Sequence, residues 1–426
     1  MTPRLMRLML AAWLGVAGAI VSARAAGVYD IASMPYTINA PGHYRLASSI
    51  NVPASNTTPV ITVNASSVLL DLNGFTIGGG PSLAPAISIV NFPDVTVQNG
   101  FIAHVRGAPA IHAQVVNVSI RDITFFQCDQ PVQATTRTVI EGCLAWNGAG
   151  GISTNGVFVT AGDSVIRDCA VSDFRLSGSS AVAVGEGSRI EGVVLRDVVR
   201  TNNTAYALRA GTNSIIDRVS LLPLNGELRP IDGNHARLRA LVAHGDSTFA
   251  LTGHTATESV IWGRPHYFSF ERVTHSISYG GTSGSPGFSR CKNLFGVLAA
   301  ANTTNALVAF GNLNGPWTVR RSLAHRFNAP TVRFEGMHAS FSENLISTFS
   351  GAGISRLSSS DRFHAVRDNH LVGTTASIAM SSDCWVEGNS LALTTGTNAV
   401  INHVTPITNP GNNFNTDQPR ANVVIY

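Results

Sequence analysis

A short string recurs along this chain at a nearly constant interval. It reads apolar, polar, apolar, then a charged or amide residue, then a small or turn-forming one. Instances are Val95-Thr96-Val97-Gln98, Val118-Ser119-Ile120-Arg121, Thr138-Val139-Ile140-Glu141-Gly142-Cys143 and Ser164-Val165-Ile166-Arg167-Asp168-Cys169. Ser188-Arg189-Ile190-Glu191, Ser214-Ile215-Ile216-Asp217 and Arg237-Leu238-Arg239 continue it, and Val319 and Val386 centre later copies. From Val97 the central residues follow at 23, 20, 26, 24, 26 and 22 residues, ending at Leu238. A period of this size is the mark of a solenoid, in which each repeat buries its apolar face only by stacking on its neighbours. That also accounts for 426 residues without several globular lobes, because a solenoid extends its core in one dimension.

The apolar runs are short and alternate, and Gly, Asn, Asp and Ser separate them. Helical repeats need apolar spacing of three and four over ten or more residues, and leucine-rich repeats need a leucine frame; neither occurs. Parallel β-coils remain. Charged residues make up 13% of the chain against a typical ~25%, and hydrophobic residues 44%, which excludes a disordered polyelectrolyte.

The N-terminus reads as an export signal. Arg4 and Arg7 precede an apolar stretch from Leu8 to Val21, and Ala23-Arg24-Ala25 forms a small-residue cleavage site. Loss of that segment lowers the formal charge from +4 to +1, so the mature chain has no electrostatic reason to bind nucleic acid. The apolar stretch is shorter than the roughly 20 residues of a membrane span, and no later run reaches that length. The chain is thus expected outside the cytosol. Its five Cys leave at least one thiol unpaired, and no C-x-x-C supports zinc or redox chemistry.

Leu69-Leu70-Asp71-Leu72-Asn73-Gly74-Phe75-Thr76-Ile77 resembles the first-coil motif of the right-handed parallel β-helix proteins with the pectin-lyase-like fold. Tyr36-Thr37-Ile38 through Leu46 resembles their lead-in, and Ala421 to Tyr426 resembles the final strand of exported bacterial members. The resemblance implies an all-β, right-handed parallel β-helix: a signal over 1–25, a lead-in and cap over 26–66, and one elongated β-helix over 67–426. It implies little about activity, since this fold carries lyases, hydrolases and adhesins alike. The D-D and G-H-G motifs of polygalacturonase-like hydrolases and the R-x-P-x-x-R string of pectate lyases do not occur. No cofactor is indicated, and Ca²⁺ has no motif behind it.

In register, the residue after each central position forms the column Gln98, Arg121, Glu141, Arg167, Glu191, Asp217, Arg239. Its mostly alternating signs predict cross-strand charge pairs. Two residues further, Ile123, Cys143, Cys169, Val193, Val219 and Leu241 are expected to face inward with the central residue. Cys143 and Cys169 then stack, as buried thiols or as a disulfide.

Between about 222 and 316 the period loosens, and five of the 13 His fall between 235 and 275. Departures from a repeat usually map to loops on one face, often the binding face. Trp262, Tyr267, His266, Asp246 and His244 suit sugar binding, since ring faces stack on pyranose surfaces. A lyase needs a base and a cation beside the substrate carboxylate; Arg272, His275 and Lys292 are candidates for the base and Arg264 for the cation. A glycosidase needs two carboxylates, for which Asp232, Asp246, Glu258 and Glu271 are candidates. Two readings follow. One is a rod that binds an acidic polysaccharide and cleaves it, by β-elimination before hydrolysis. The other is a non-catalytic surface or structural rod. Oligomeric state is not legible.

Overall fold

A computed structural model describes residues 27–148, 156–176, 180–200, 206–225, 229–232 and 236–280. Beyond these it describes 288–289, 293–295, 298–301, 308–310, 317–326, 332–334, 339–348, 354–356, 364–373, 377–380, 384–393, 400–403 and 423–425. The export segment lies outside them. All described regular structure is strand, every pairing is parallel, and the chain coils as a right-handed parallel β-helix. Among the described residues no helix is long and apolar enough to cross a membrane.

The first ladder joins the residues that the repeat predicts. Val97 pairs with Ile120, then come Ile140, Ile166, Ile190, Ile216 and Leu238. The column extends toward the N-terminus through Leu70 to Tyr44. In the other direction it runs through Ala256, Val273, Leu294, Val319, Phe341 and Val366 to Val386. Val28–Ile31 already pairs with the lead-in strand Gly42–Leu46, so rungs begin within the lead-in.

A left-handed residue two positions past each central one turns the corner out of this ladder. Asp122, Gly142, Asp168, Gly192, Arg218, Glu258, His275, Glu343 and Asp368 all have φ between 46° and 62°. The turn explains the inward column that follows. Strand alternation alone would point a residue three places on outward; the corner swings it back, and Ile123, Cys143, Cys169, Val193, Val219 and Leu241 are buried. Cys128, Cys143 and Cys169 are free thiols, and Cys143 stacks on Cys169 without a bridge. Beyond the corner a second ladder buries Ala145, Val171, Leu195, Leu221 and Ala243.

The inward corner column changes chemistry along the rod. From Ser259 it turns polar: Ser276, Ser322, Asn344, Asn369 and Asn389 are all buried. Such groups must be satisfied: the Ser259 N–H donates to Ser276 Oγ, the Ser322 N–H to Asn344 Oδ1, and the asparagines continue the chain. The amides of Asn344 and Asn369 donate through Nδ2 to Oδ1 of Asn369 and Asn389 at 2.8 and 2.9 Å. The same oxygens accept the backbone N–H of Asn344 and Asn369 at 3.1 and 3.0 Å.

From Leu238 to Val273 the loosened period is a shortening, not a set of loops. Leu238, Ala256 and Val273 are successive rungs, 18 and 17 residues apart. Two long strands, Val242–Thr257 and Val260–Thr274, each run through most of a turn without a break. The first ladder keeps its register across the shortened turn, while the pairing of the two long strands shifts between Gly245 and Phe249 and again between Phe249 and Ala250.

Candidate functional site

The outward column of the first ladder is a chain of ion pairs, as its alternating signs predict. Glu141 accepts from Arg167 at 2.7 Å and faces Arg121 at 3.6 Å. Those guanidiniums, Arg167 above all, hold its carboxyl below the usual carboxylate range. Two turns beyond Glu141, Glu191 pairs with Arg189 at 3.0 Å and with Arg218. Paired charges of this kind, exposed to water, contribute little each.

The same face changes beyond Ala256. Two outward columns flank the central residues there: Arg272, Thr318 and Ser340 on one side, Thr274, Arg320, Ser342 and Arg367 on the other. They border a groove of about 730 Å³, lined by Arg272, Arg320 and Arg367, by hydroxyls of Thr274, Thr318, Ser340 and Ser342, and by Glu343 and Asp368 from the corner. Arg320 and Arg367 stand two rungs apart, about 10 Å at the usual strand spacing. Glu343 is already engaged: Arg320 Nε donates to it at 2.9 Å and Arg321 Nε at 2.6 Å. The two guanidiniums, Arg321 first, hold its carboxyl below the usual range. Arg272 is exposed and forms no ion pair among the described residues. A planar guanidinium fork beside hydroxyls is suited to carboxylate and polyol recognition.

A second hollow, about 690 Å³, lies at the next corner, where Arg106 and Arg175 are balanced by Asp173 and Asp197. Among the described residues no three His, Cys, Asp or Glu gather as metal ligands.

Of the residues singled out from sequence, Arg272 lines the first groove, and His275 occupies the exposed corner one residue past Thr274 of its wall. Lys292 lies outside the described residues. The backbone register puts His244 and Trp262 on adjacent rungs of the second ladder, with Tyr279 next. Tyr267 pairs with Ala250, further along the same long strand. The side chains of His244, Asp246, Trp262, Arg264, His266 and Tyr267 lie outside the described part. So do those of Asp232 and Glu271, whereas Glu258 sits exposed at a corner, 3.4 Å from Arg239. Sequence reasoning missed Arg320, Arg367, Glu343 and Asp368, because they belong to regular repeats and attention went to the irregular ones. The tripeptide Asn415-Thr416-Asp417, an N-T-D string of the kind polygalacturonase-like hydrolases carry, lies outside the described residues.

No protein-family model matches the chain, and no characterised protein sequence matches it. Among the solved structures that are similar are the following three. A mannuronan C-5 epimerase A-module from Azotobacter vinelandii is 14% identical, with a TM-score of 0.26 over 97% of this chain and 93% of that one. A PL6 family polysaccharide lyase from Pseudopedobacter saltans is 11% identical, with a TM-score of 0.27 over 94% of this chain and 88% of that one. The tailspike protein of E. coli bacteriophage HK620 is 11% identical, with a TM-score of 0.25 over 97% of this chain and 74% of that one. Identities and scores at this level bear on no activity.

Proposed function

We propose that this right-handed parallel β-helix, with its pectin-lyase-like fold, is an exported protein that binds an acidic polysaccharide along the outer face of its first ladder and cleaves it by β-elimination. The observation that carries the reading is the groove. Three arginines line it, their rungs regularly spaced along the rod, in a row of hydroxyls. A linear polymer with a carboxylate on each sugar presents the matching row. In this reading Arg272 neutralises the carboxylate at the cleavage point, and His275 takes the proton from the carbon beside it. The electron pair then expels the glycosidic oxygen, leaving an unsaturated sugar end.

The test is a panel of uronate polymers, scored by retention in affinity gels and by the ultraviolet absorbance of unsaturated ends. Arg272→Ala and Arg367→Ala are expected to weaken retention about tenfold each, the ~1.4 kcal/mol scale of a lost charged hydrogen bond. His275→Ala is expected to leave retention intact and abolish the absorbance. Retention of no polymer would favour a non-catalytic rod, which the self-paired charges around Glu141 and Glu191 also fit.

A further inference from the structure

The outer face of the second ladder carries a mostly aliphatic column in register, interrupted at Ser220. Leu144 pairs with Ala170, then follow Val194, Ser220, Val242, Val260 and Ile277. The column continues through Leu298 and Leu323 to Leu345. Each opens its strand, where alternation turns Leu144, Val194, Val242, Val260, Ile277 and Leu345 to solvent while the next residue enters the core. The pattern is regular in exposure too: Leu144 38%, Val194 41%, Val242 40%, Val260 37%, Ile277 39% and Leu345 38%. Two residues along each strand, a parallel outward column adds Trp146 and Leu222, similarly exposed. Arg196 stands between them and pairs with Asp197 at 3.2 Å.

A soluble protein rarely exposes a contiguous apolar patch of more than a few hundred Å² without a use for it. The rungs from Leu144 to Leu345 span about 43 Å at a strand spacing of about 4.8 Å. A strip about 15 Å wide then offers roughly 650 Å², close to the ~800 Å² that each partner buries in a specific interface.

We propose that a second copy of this chain covers the stripe. The two rods lie side by side and antiparallel, related by a two-fold axis that passes between the rungs of Val242 and Val260. Three observations select this occupant. The stripe repeats one aliphatic chemistry at nearly every rung, so it is complementary to itself when reversed, as a two-fold interface demands. Its described members are mainly Val, Leu and Ile, which suit another β-face better than a sugar; a sugar would ask for aromatic rings at intervals. The formal charge of the whole chain is only +4, so two copies approach with little repulsion. The polysaccharide groove is on the first ladder and stays open in the pair.

The test is the mass of the chain in solution, by sedimentation across a concentration series. The expected result is twice the chain mass for wild type. The double variant Val242→Glu and Val260→Glu, at positions that face solvent, is expected to keep its circular dichroism and to raise the dissociation constant at least a hundredfold. Single Val242→Cys or Val260→Cys variants, being next to the axis, are expected to form a disulfide-linked dimer on mild oxidation. Leu144→Cys, at one end of the stripe, is expected not to link beyond the wild-type background. A wild type that stays monomeric at high micromolar concentration overturns the proposal, whatever else covers the face. So does a double variant of unchanged mass, or cross-linking at 144 and not at 260. Arg272→Ala, which tests the groove, is expected to leave the mass unchanged, so failure of either reading is seen separately.

Discussion

Ala240 and Gly142 occupy the same corner position on different rungs, at φ 49° and 62°. The backbone angle therefore admits a methyl group there, at the ordinary penalty of about 1 kcal/mol for a left-handed residue. What excludes one at 142 is the rung below: a Cβ built on Gly142 stands 2.5 Å from Asp122 Oδ1. The arrangement repeats at Gly192 over Asp168 and at Gly388 over Asp368, with the carboxylate oxygen 2.5 and 2.3 Å away. An aspartate at one corner thus dictates glycine at the next. Gly142→Ala is expected to destabilise the protein by about 2 kcal/mol, strain and clash together. Asp122→Ala combined with Gly142→Ala is expected to return about half of that, read as a positive coupling in a double-mutant cycle of urea melts. Simple additivity of the two would show that the carboxylate is not the obstacle.

At the scale of an element, the asparagine column near the C-terminal end behaves as one hydrogen-bonded strand of side chains. Asn369 Oδ1 accepts from both the backbone and the amide of Asn344, and Asn369 Nδ2 donates to the Phe341 carbonyl at 3.2 Å. Asn369→Leu keeps the volume and removes these three bonds together with the one from Asn369 Nδ2 to Asn389 Oδ1. Buried groups left without partners cost about 1–3 kcal/mol each, so a loss of about 3 kcal/mol or more is expected. Asn369→Ser is expected to cost less than half as much. The serines earlier in the column already show the reduced form: Ser276 Oγ accepts Ser259 N–H at 3.2 Å and donates to the Thr274 carbonyl at 2.9 Å. Equal melts for the two variants would remove the ladder from the stability of this end. The contrast also explains what was legible. The central column from Val97 to Leu238 and the sign alternation of Arg121, Glu141 and Arg167 stand in plain sequence, because period and charge are local. The inward column from Ile123 to Leu241 was named, but strict alternation does not account for it, because it cannot announce the left-handed residue at Asp122 or Asp168 that swings the column back. The groove was only half found: Arg272 was named, but Arg320 and Arg367 look like any other member of the charged column until the rungs are stacked.

In the whole molecule each rung touches only the ones beside it, so cooperativity must pass along the rod from neighbour to neighbour. Cys128, Cys143 and Cys169 report on it, because Cys143 and Cys169 sit at the inward corners of successive turns and Cys128 is buried in the turn before them, past the second ladder. Burial pushes the Cys128 thiol up to about 12. Contact with Cys169, together with burial, raises Cys143 well above its ordinary range. A thiol buried in the core is out of reach of a disulfide reagent, so each reacts only after its rung opens. If nearest-neighbour coupling is strong, the three become reactive in one step, and that step coincides with the loss of far-ultraviolet circular dichroism. If it is weak, Cys128 and Cys169 open at different denaturant concentrations and the chain frays in segments. The core here favours the first outcome. Ile120, Ile140 and Ile166 are fully buried in one unbroken column, with Phe125 and Phe158 in edge contact 6.2 Å apart beside them. Site-resolved labelling by mass spectrometry along a urea gradient is therefore expected to give one shared midpoint for the three cysteines. Separate midpoints would mean that this part of the rod is a chain of independently opening turns.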